Sequence, residues 1–368
     1  MLFLGRASNY KGMDILRHTF AFGTEKNSEE LRAYLAAHYG ATYDHVALYH
    51  NGRSALTVAL RALVPKKSEV VVTSLTCCAV VQAVRAAGAT PVYADINRET
   101  LHYGRVELEE VLENHDDVSA IIIQNTLGIP VDIAELEEVC REHDIIIIED
   151  LAHCAGVRYP DGREVGTVGR AAALSFGKGK SIDTISGGAV IFLDKDDKPV
   201  TQPKKRPYFS ETLADRWYPF HGRMIRTFYY LGLGKILTAA LLKLGCIERS
   251  ADSRLSTKTR LTHWQAKLAL RQIKKLPKKG RPPLRDHYFV EDRDELLKRL
   301  RKLGYVFDEI WYDVPVSPSR YYKKMNFDEE ACPVATEVAD EIINLPTGVK
   351  KSDLTTAYKI IKEYKIDE

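Results

Sequence analysis

No two of the six cysteines, at positions 77, 78, 140, 154, 246 and 332, form a C-x-x-C pair. Neither a zinc site nor a dithiol redox motif is therefore expected, and no metal ligands are assigned. Cys77 and Cys78 are adjacent, which is poor geometry for a disulfide between them. Scattered thiols in a chain of this size suit a reducing cytoplasm. No uncharged apolar run approaches the ~20 residues of a membrane span. The opening Met-Leu-Phe-Leu-Gly-Arg is too short in apolar length for a signal peptide, so a cytoplasmic location is expected. Charge of neither sign dominates, with 53 Lys and Arg against 50 Asp and Glu. No basic run alternates with aromatics as in a single-strand binder, and nucleic acid is not an expected partner. Internal repeats and low-complexity tracts are also missing.

What remains is an ordinary globular composition, 45% hydrophobic and 28% charged, over 368 residues. That length suits two domains better than one compact core. Short apolar runs at Val46–Tyr49, Val70–Thr73, Pro91–Ala94, Ala120–Gln124, Ile145–Glu149, Ala171–Phe176 and Ala189–Leu193 read as strands. Several are continuous Val/Ile runs, as in strands buried on both faces of a largely parallel sheet. Helices are expected between them at Ser28–His38, Ser54–Leu63, Ala79–Ala87 and Ile133–Glu142. The alternation predicts a doubly wound α/β domain. Tyr159-Pro160-Asp161-Gly162 reads as a turn. Polar residues 195–215 read as a loop. Further helices are expected at Leu261–Leu276, Glu291–Leu303 and Ser352–Tyr364. The resulting division is a large domain over 1–200, a connecting segment with an apolar helix over 201–255, and a small α+β domain over 256–368.

Ligands of open α/β sheets bind beyond the carboxyl ends of the strands. The residues found there are His50-Asn51-Gly52-Arg53-Ser54, Ser74-Leu75-Thr76-Cys77, Asn125-Thr126, Asp150-Leu151-Ala152-His153 and Gly177-Lys178-Gly179-Lys180. Convergence at one edge carries the argument; no single group does. Asn51-Gly52-Arg53-Ser54 opens a helix, where backbone N–H groups favour an anion. The same residues also read as a plain turn with an Asn cap. Asp150 at the mouth of a strand could pair with a pyridinium nitrogen or cap a helix. His153 could reach the same ligand or be an ordinary half-buried histidine. Lys178 and Lys180 are both candidate nucleophilic amines if their surroundings lower the pKa.

Taken together these motifs resemble the DegT/DnrJ/EryC1/StrS sugar aminotransferases, a branch of the fold-type-I pyridoxal-phosphate (PLP) enzymes. Asn51-Gly52-Arg53-Ser54-Ala55-Leu56 is similar to the family's phosphate loop. Asn125-Thr126-Leu127-Gly128-Ile129-Pro130 parallels H-x-x-G-x-P, and Ile148-Glu149-Asp150-Leu151-Ala152-His153 parallels I-E-D-x-A-(Q/H). Gly166-Thr167-Val168-Gly169 parallels V-G-x-x-G. Ser175-Phe176-Gly177-Lys178-Gly179-Lys180 parallels S-F-x-x-x-K, whose lysine forms the Schiff base. The resemblance implies a mostly parallel seven-stranded sheet flanked by helices, with a small C-terminal α+β domain. It selects Lys180 over Lys178 as the cofactor lysine. Asp150 would bind the ring nitrogen and His153 the ring hydroxyl. Ser175, with backbone groups of Gly52, Arg53 and Ser54, would bind the phosphate. A homodimer with shared sites is implied, transferring an amino group from glutamate or glutamine to a keto sugar, usually nucleotide-linked, in surface-polysaccharide or related synthesis.

The chain departs from the family's pattern in four places. Cys77 stands where an aromatic residue stacks on the cofactor ring. Arg53 replaces a threonine. Ile185-Ser186-Gly187-Gly188 lacks the acid of G-(D/E)-G-G. The stretch between Leu276 and Asp286 is short. These leave open a PLP enzyme with a non-sugar acceptor or altered chemistry, or a non-catalytic regulator or membrane-docked scaffold. Retention of Asp150, His153, Ser175 and Lys180 together argues against a scaffold. Tyr218–Leu244 is apolar and aromatic with interspersed Arg and Lys. It reads as a helix packed on a dimer or domain interface, with a membrane-surface helix as the alternative.

Overall fold

The computed structural model describes residues 2–5, 10, 12–277, 279–307 and 310–366; Met1 and Arg6 of the opening run lie outside these. Seven strands form one sheet: β1 (Val46–Tyr49), β2 (Glu69–Thr73), β3 (Thr90–Ala94), β4 (Val118–Ile123), β5 (Ile146–Asp150), β6 (Ala171–Ser175) and β7 (Gly188–Phe192). Their spatial order is β1-β7-β6-β5-β4-β2-β3. Only β7 runs antiparallel to its neighbours. All seven expected strands are present, each within two residues of its expected bounds.

Helices α1 (Gly12–Thr19), α2 (Glu25–Tyr39), α3 (Gly52–Leu63), α4 (Cys78–Ala87), α5 (Arg105–Asn114) and α6 (Ile133–Glu142) precede or separate the strands. The alternation of side chains along a strand builds two cores. Val71, Ile121, Ile147 and Ile191 face α2 and α6, with Leu31, Leu35, Leu136 and Val139. Val70, Val72, Ile122 and Ile148 face the other way, toward Ala55, Leu60, Val80 and Val84 of α3 and α4. Both faces are covered, which is why these strands read as continuous apolar runs rather than alternating ones. α1 and α5 were not expected. In α5 only Leu108 and Val111 are buried, so its apolar stripe is too thin to stand out.

The segment expected as a loop over 195–215 already enters a helix at 209. α7 (Phe209–Tyr230) and α8 (Gly234–Lys243) form a hairpin, and Pro219 lies inside α7. α9 (His263–Ile273) follows, then β8 (Arg285–Phe289), α10 (Arg293–Lys302), α11 (Pro333–Glu341), β9 (Ile342–Pro346) and α12 (Lys351–Glu363). β8 and β9 pair antiparallel. Packing divides the chain differently from the expected bounds at 200 and 256. Ala266, Ala269, Leu270 and Ile273 of α9 sit in the sheet core with α2. Leu4, by contrast, is buried with Leu296, Leu300, Leu345 and Ile361 of the C-terminal unit. Apolar burial, not chain order, decides this: α9 has its apolar stripe against the sheet.

Candidate active site

The carboxyl ends of β1, β5 and β6, with the start of β7, open onto one cavity of about 160 Å³. Gly52, Arg53, Cys77, Asp150, His153, Ser175 and Lys180 all line it; Ser54 does not. Ser54 is fully buried, and its Oγ donates to Asn51 Oδ1 (2.8 Å) and accepts from the Ser256 N–H (3.0 Å). Its own N–H donates to Asn51 Oδ1 (2.9 Å), which is the Asn cap of α3. The Asn cap is therefore present, and it does not use up the start of the helix. Asn51 takes the Ser54 N–H, and the helix geometry leaves the N–H groups of Gly52 and Arg53 without intrahelical acceptors.

Gly52 is where the sequence had no choice. A Cβ there would lie 2.7 Å from Ser175 Cβ and 3.0 Å from Ser175 Oγ. Gly188 approaches from the far side, and its Cβ would meet Gly52 N and Cα at 2.7 Å. Two glycines thus let the helix start rest directly against the ends of β6 and β7, beside the Ser175 hydroxyl.

Strand alternation sends Glu149 and Asp150 to opposite faces of β5. Glu149 is fully buried and accepts from the N–H groups of Gly166 (2.6 Å), Val168 (2.9 Å) and Gly169 (2.7 Å), and from the Tyr159 hydroxyl (2.8 Å). Gly166-Thr167-Val168-Gly169 is the collar that holds this carboxylate. Asp150 faces the cavity and accepts from the Ala152 N–H (2.9 Å) in a local turn, with no helix following. Burial raises its pKa, opposed by that hydrogen bond and by Lys180.

His153 Nδ1 accepts from the Leu127 N–H (3.2 Å), which leaves Nε2 as the protonated nitrogen of the neutral ring. Burial holds His153 well below the usual histidine range, with Lys180 and Arg285 adding to the effect. Asn125-Thr126-Leu127-Gly128 therefore acts through its backbone. Asn125 itself is buried away from the cavity, its Oδ1 accepting from the Val131 N–H (3.0 Å).

The two lysines separate cleanly. The Lys178 ammonium donates to the Glu248 carbonyl and sits 4.5 Å over the Tyr218 ring. The Lys180 amine lies 4.5 Å over Trp311, whose ring also stacks on His153 at 5.0 Å. Burial lowers the Lys180 pKa; Cys77 and Asp150 partly offset this, and Arg285 reinforces it. The Cys77 thiol is held below its ordinary value, first by a hydrogen bond from Cys78, with Lys180 and Arg53 contributing.

Other residues of the site carried no sequence signal. Gln124 ends an apolar run and bonds Thr126 Oγ1 (2.9 Å). Residues 248–253 cross the cavity as a strap. Arg53 ties this strap down through the carbonyls of Ser253 (3.2 Å), Ser250 (3.3 Å) and Ala251 (3.1 Å). Asp215 of α7 enters from one side, hydrogen-bonded by Ser186 Oγ and by Gln265 Nε2 (3.3 Å), with His50 Nε2 at 3.9 Å. Burial raises its pKa.

The sequence profile of the DegT/DnrJ/EryC1/StrS aminotransferase family matches residues 13–281. The chain belongs to this family. It is a PLP-dependent aminotransferase of the α/β fold that these enzymes share. Among its relatives is the GDP-perosamine synthase of Escherichia coli O157:H7, 27% identical, matching 84% of this chain and 82% of that protein. Another is the pleiotropic regulatory protein of Geobacillus stearothermophilus, also 27% identical, over 80% of this chain and 78% of its own length. The solved PLP form of a Streptococcus pneumoniae sugar aminotransferase superposes with a TM-score of 0.68 at 18% identity, covering 98% and 97% of the two chains.

Proposed function

We propose that this aminotransferase moves an amino group from glutamate or glutamine to a keto sugar, nucleotide-linked as in the relatives named for sugar products, with Lys180 as the cofactor lysine. One observation carries this reading. The Lys180 amine shares one cavity with a carboxylate (Asp150), a neutral imidazole (His153) and a glycine-walled hydroxyl cradle (Gly52 with Ser175). That donor set fits PLP. The N–H groups of Gly52 and Arg53, with Ser175 Oγ, would hold the phosphate. Asp150 would face the ring nitrogen and keep it protonated, and His153 Nε2–H would donate to the ring hydroxyl. When bound, PLP supplies the electron sink that makes the substrate's α-proton labile.

Lys180 is half-buried, and desolvation biases it toward the neutral amine, so its Nζ can take that proton and return it on the other side of the transfer. Asp150 stabilises positive charge at the site without competing for the substrate carbon. The strap over residues 248–253 limits water entry. A homodimer whose partner completes each site, working in the cytoplasm, is part of the same reading.

The test uses purified enzyme. The wild type should take up PLP covalently and become yellow, and Lys180→Ala should lose that absorbance and its turnover. Wild-type enzyme loaded with PLP is then given glutamate, followed by a panel of nucleotide-linked keto sugars. Conversion by glutamate without re-oxidation by any sugar would reject the keto-sugar acceptor. A protein that takes up no PLP would reject the whole assignment.

A further inference from the structure

The α7–α8 hairpin has no role in holding the cofactor beyond Asp215 and the strap that follows it. Its surface is unusual in two respects. Among the described residues, the large exposed apolar side chains fall almost wholly on residues 13–22 and 208–244; only Tyr43, Val106 and Leu303 lie elsewhere. At the hairpin tip and its far end are Phe228, Leu231, Leu233, Ile236 and Leu244, with Leu231 67%, Ile236 68% and Leu244 74% exposed. The second feature is charge. Residues 216–247 contain Arg216, Arg223, Arg226, Lys235 and Lys243 and not one Asp or Glu, in a chain whose acids and bases otherwise balance. No helix among the described residues is long and apolar enough to cross a membrane.

Behind the tip lies a second cavity, about 260 Å³, between the hairpin and the C-terminal unit. Tyr218, Ile225 and Leu242 give it apolar walls, and Arg226, Lys235 and Arg249 give it positive charge. It shares Glu248 and Arg249 with the cofactor cavity, so the two are neighbours across the strap.

We infer that the α7–α8 hairpin docks this protein on an anionic lipid bilayer. Leu231, Leu233 and Ile236 enter the interface, Arg223, Lys235 and Lys243 meet the headgroups, and the cavity behind receives a lipid phosphate and the start of its chain. Apolar side chains flanked by cations are what an interfacial helix requires. Against a second copy of the chain the same face fits poorly. A twofold contact lays a patch on itself, and this patch would bring basic side chains together with no carboxylate in the segment to pair them.

The experiment is flotation of the full-length, PLP-loaded protein with vesicles of phosphatidylcholine alone or with added phosphatidylglycerol. Flotation is expected with the anionic vesicles and should fall with added salt. The double substitution Leu231→Asp/Ile236→Asp should abolish it. Arg223→Gln and Lys235→Gln should each weaken it about fivefold. All three proteins should keep the PLP absorbance and glutamate half-reaction of the wild type, which reports folding independently of lipid. Failure of the wild type to float, or equal flotation of the double variant, overturns the proposal. So does a fall in sedimenting mass for the double variant, which would assign this face to a subunit contact. None of these readouts depends on the acceptor, so the inference can fail while the aminotransferase reading stands.

Discussion

Gly52→Ala adds one methyl group at the place where the structure has least room. The new Cβ would sit 2.7 Å from Ser175 Cβ and 3.1 Å from Ser175 Cα. Carbon atoms in contact prefer roughly 3.5–4.0 Å, so something must retreat by most of an ångström. Ser175 cannot move easily, because it ends β6 and is paired with Gly188 in the antiparallel ladder. The start of α3 must therefore lift, which carries the N–H groups of Gly52 and Arg53 away from the phosphate position. Overpacking of this kind costs about 1–3 kcal/mol. Denaturant unfolding of the apo protein should show that loss. PLP affinity, read by absorbance titration, should fall by at least about tenfold, since one lost charge-assisted hydrogen bond is worth about 1.5–3 kcal/mol. Gly222→Ala is the control. It lies in α7 with nothing within 4 Å of the added carbon, and should leave affinity unchanged while raising stability by up to about 1 kcal/mol. Wild-type stability and PLP affinity in Gly52→Ala would refute the cradle.

Two further outcomes follow from the same geometry. Glu149→Gln keeps the shape of the side chain but turns an amide N–H₂ toward N–H donors, either those of Val168 and Gly169 or that of Gly166 with the Tyr159 hydroxyl; denaturant titration should register a loss on the order of 3 kcal/mol, and an unchanged midpoint would show that the collar is dispensable. The Lys180 pKa lies below its ordinary 10.5 because the amine is buried, so over the window between the lowered value and 10.5 the unfolded chain binds a proton that the folded chain does not; stability from this group is complete above 10.5 and is lost as pH falls through the folded value. Covalent PLP uptake should accordingly rise with pH at a half-point below that of a free lysine amine, and a half-point at or above 10.5 would contradict the burial argument.

The sheet was legible because both its faces are covered. Ile145–Glu149 and Ala120–Gln124 read as strands from composition alone, since a strand buried twice has no polar residue to interrupt it. The polar groups at the strand ends were legible because a run buried on both faces turns polar where it reaches the edge of the sheet. Local sequence placed Asp150 at the mouth of the strand but could not show what Glu149 does, because its partners form a collar 17 to 20 residues away. Nor could it tell what Lys178 does, because its partner is the Glu248 carbonyl, 70 residues on. α5 and the start of α7 escaped notice because their buried stripes are narrow.

Ser186 shows how a departure in sequence can be made good in space. Read along the chain, Ile185-Ser186-Gly187-Gly188 has lost an acid beside the cofactor loop. In the fold, the Ser186 hydroxyl bonds Asp215, which α7 brings into the same cavity and which Gln265 of α9 also holds. A carboxylate therefore stands next to the loop after all, one hydrogen bond further from it and on a different element. Its position depends on where α7 docks, and α7 docks through a segment whose apolar residues are divided between the protein and the surrounding medium. The acid and the exposed tip of the hairpin are thus two ends of one element.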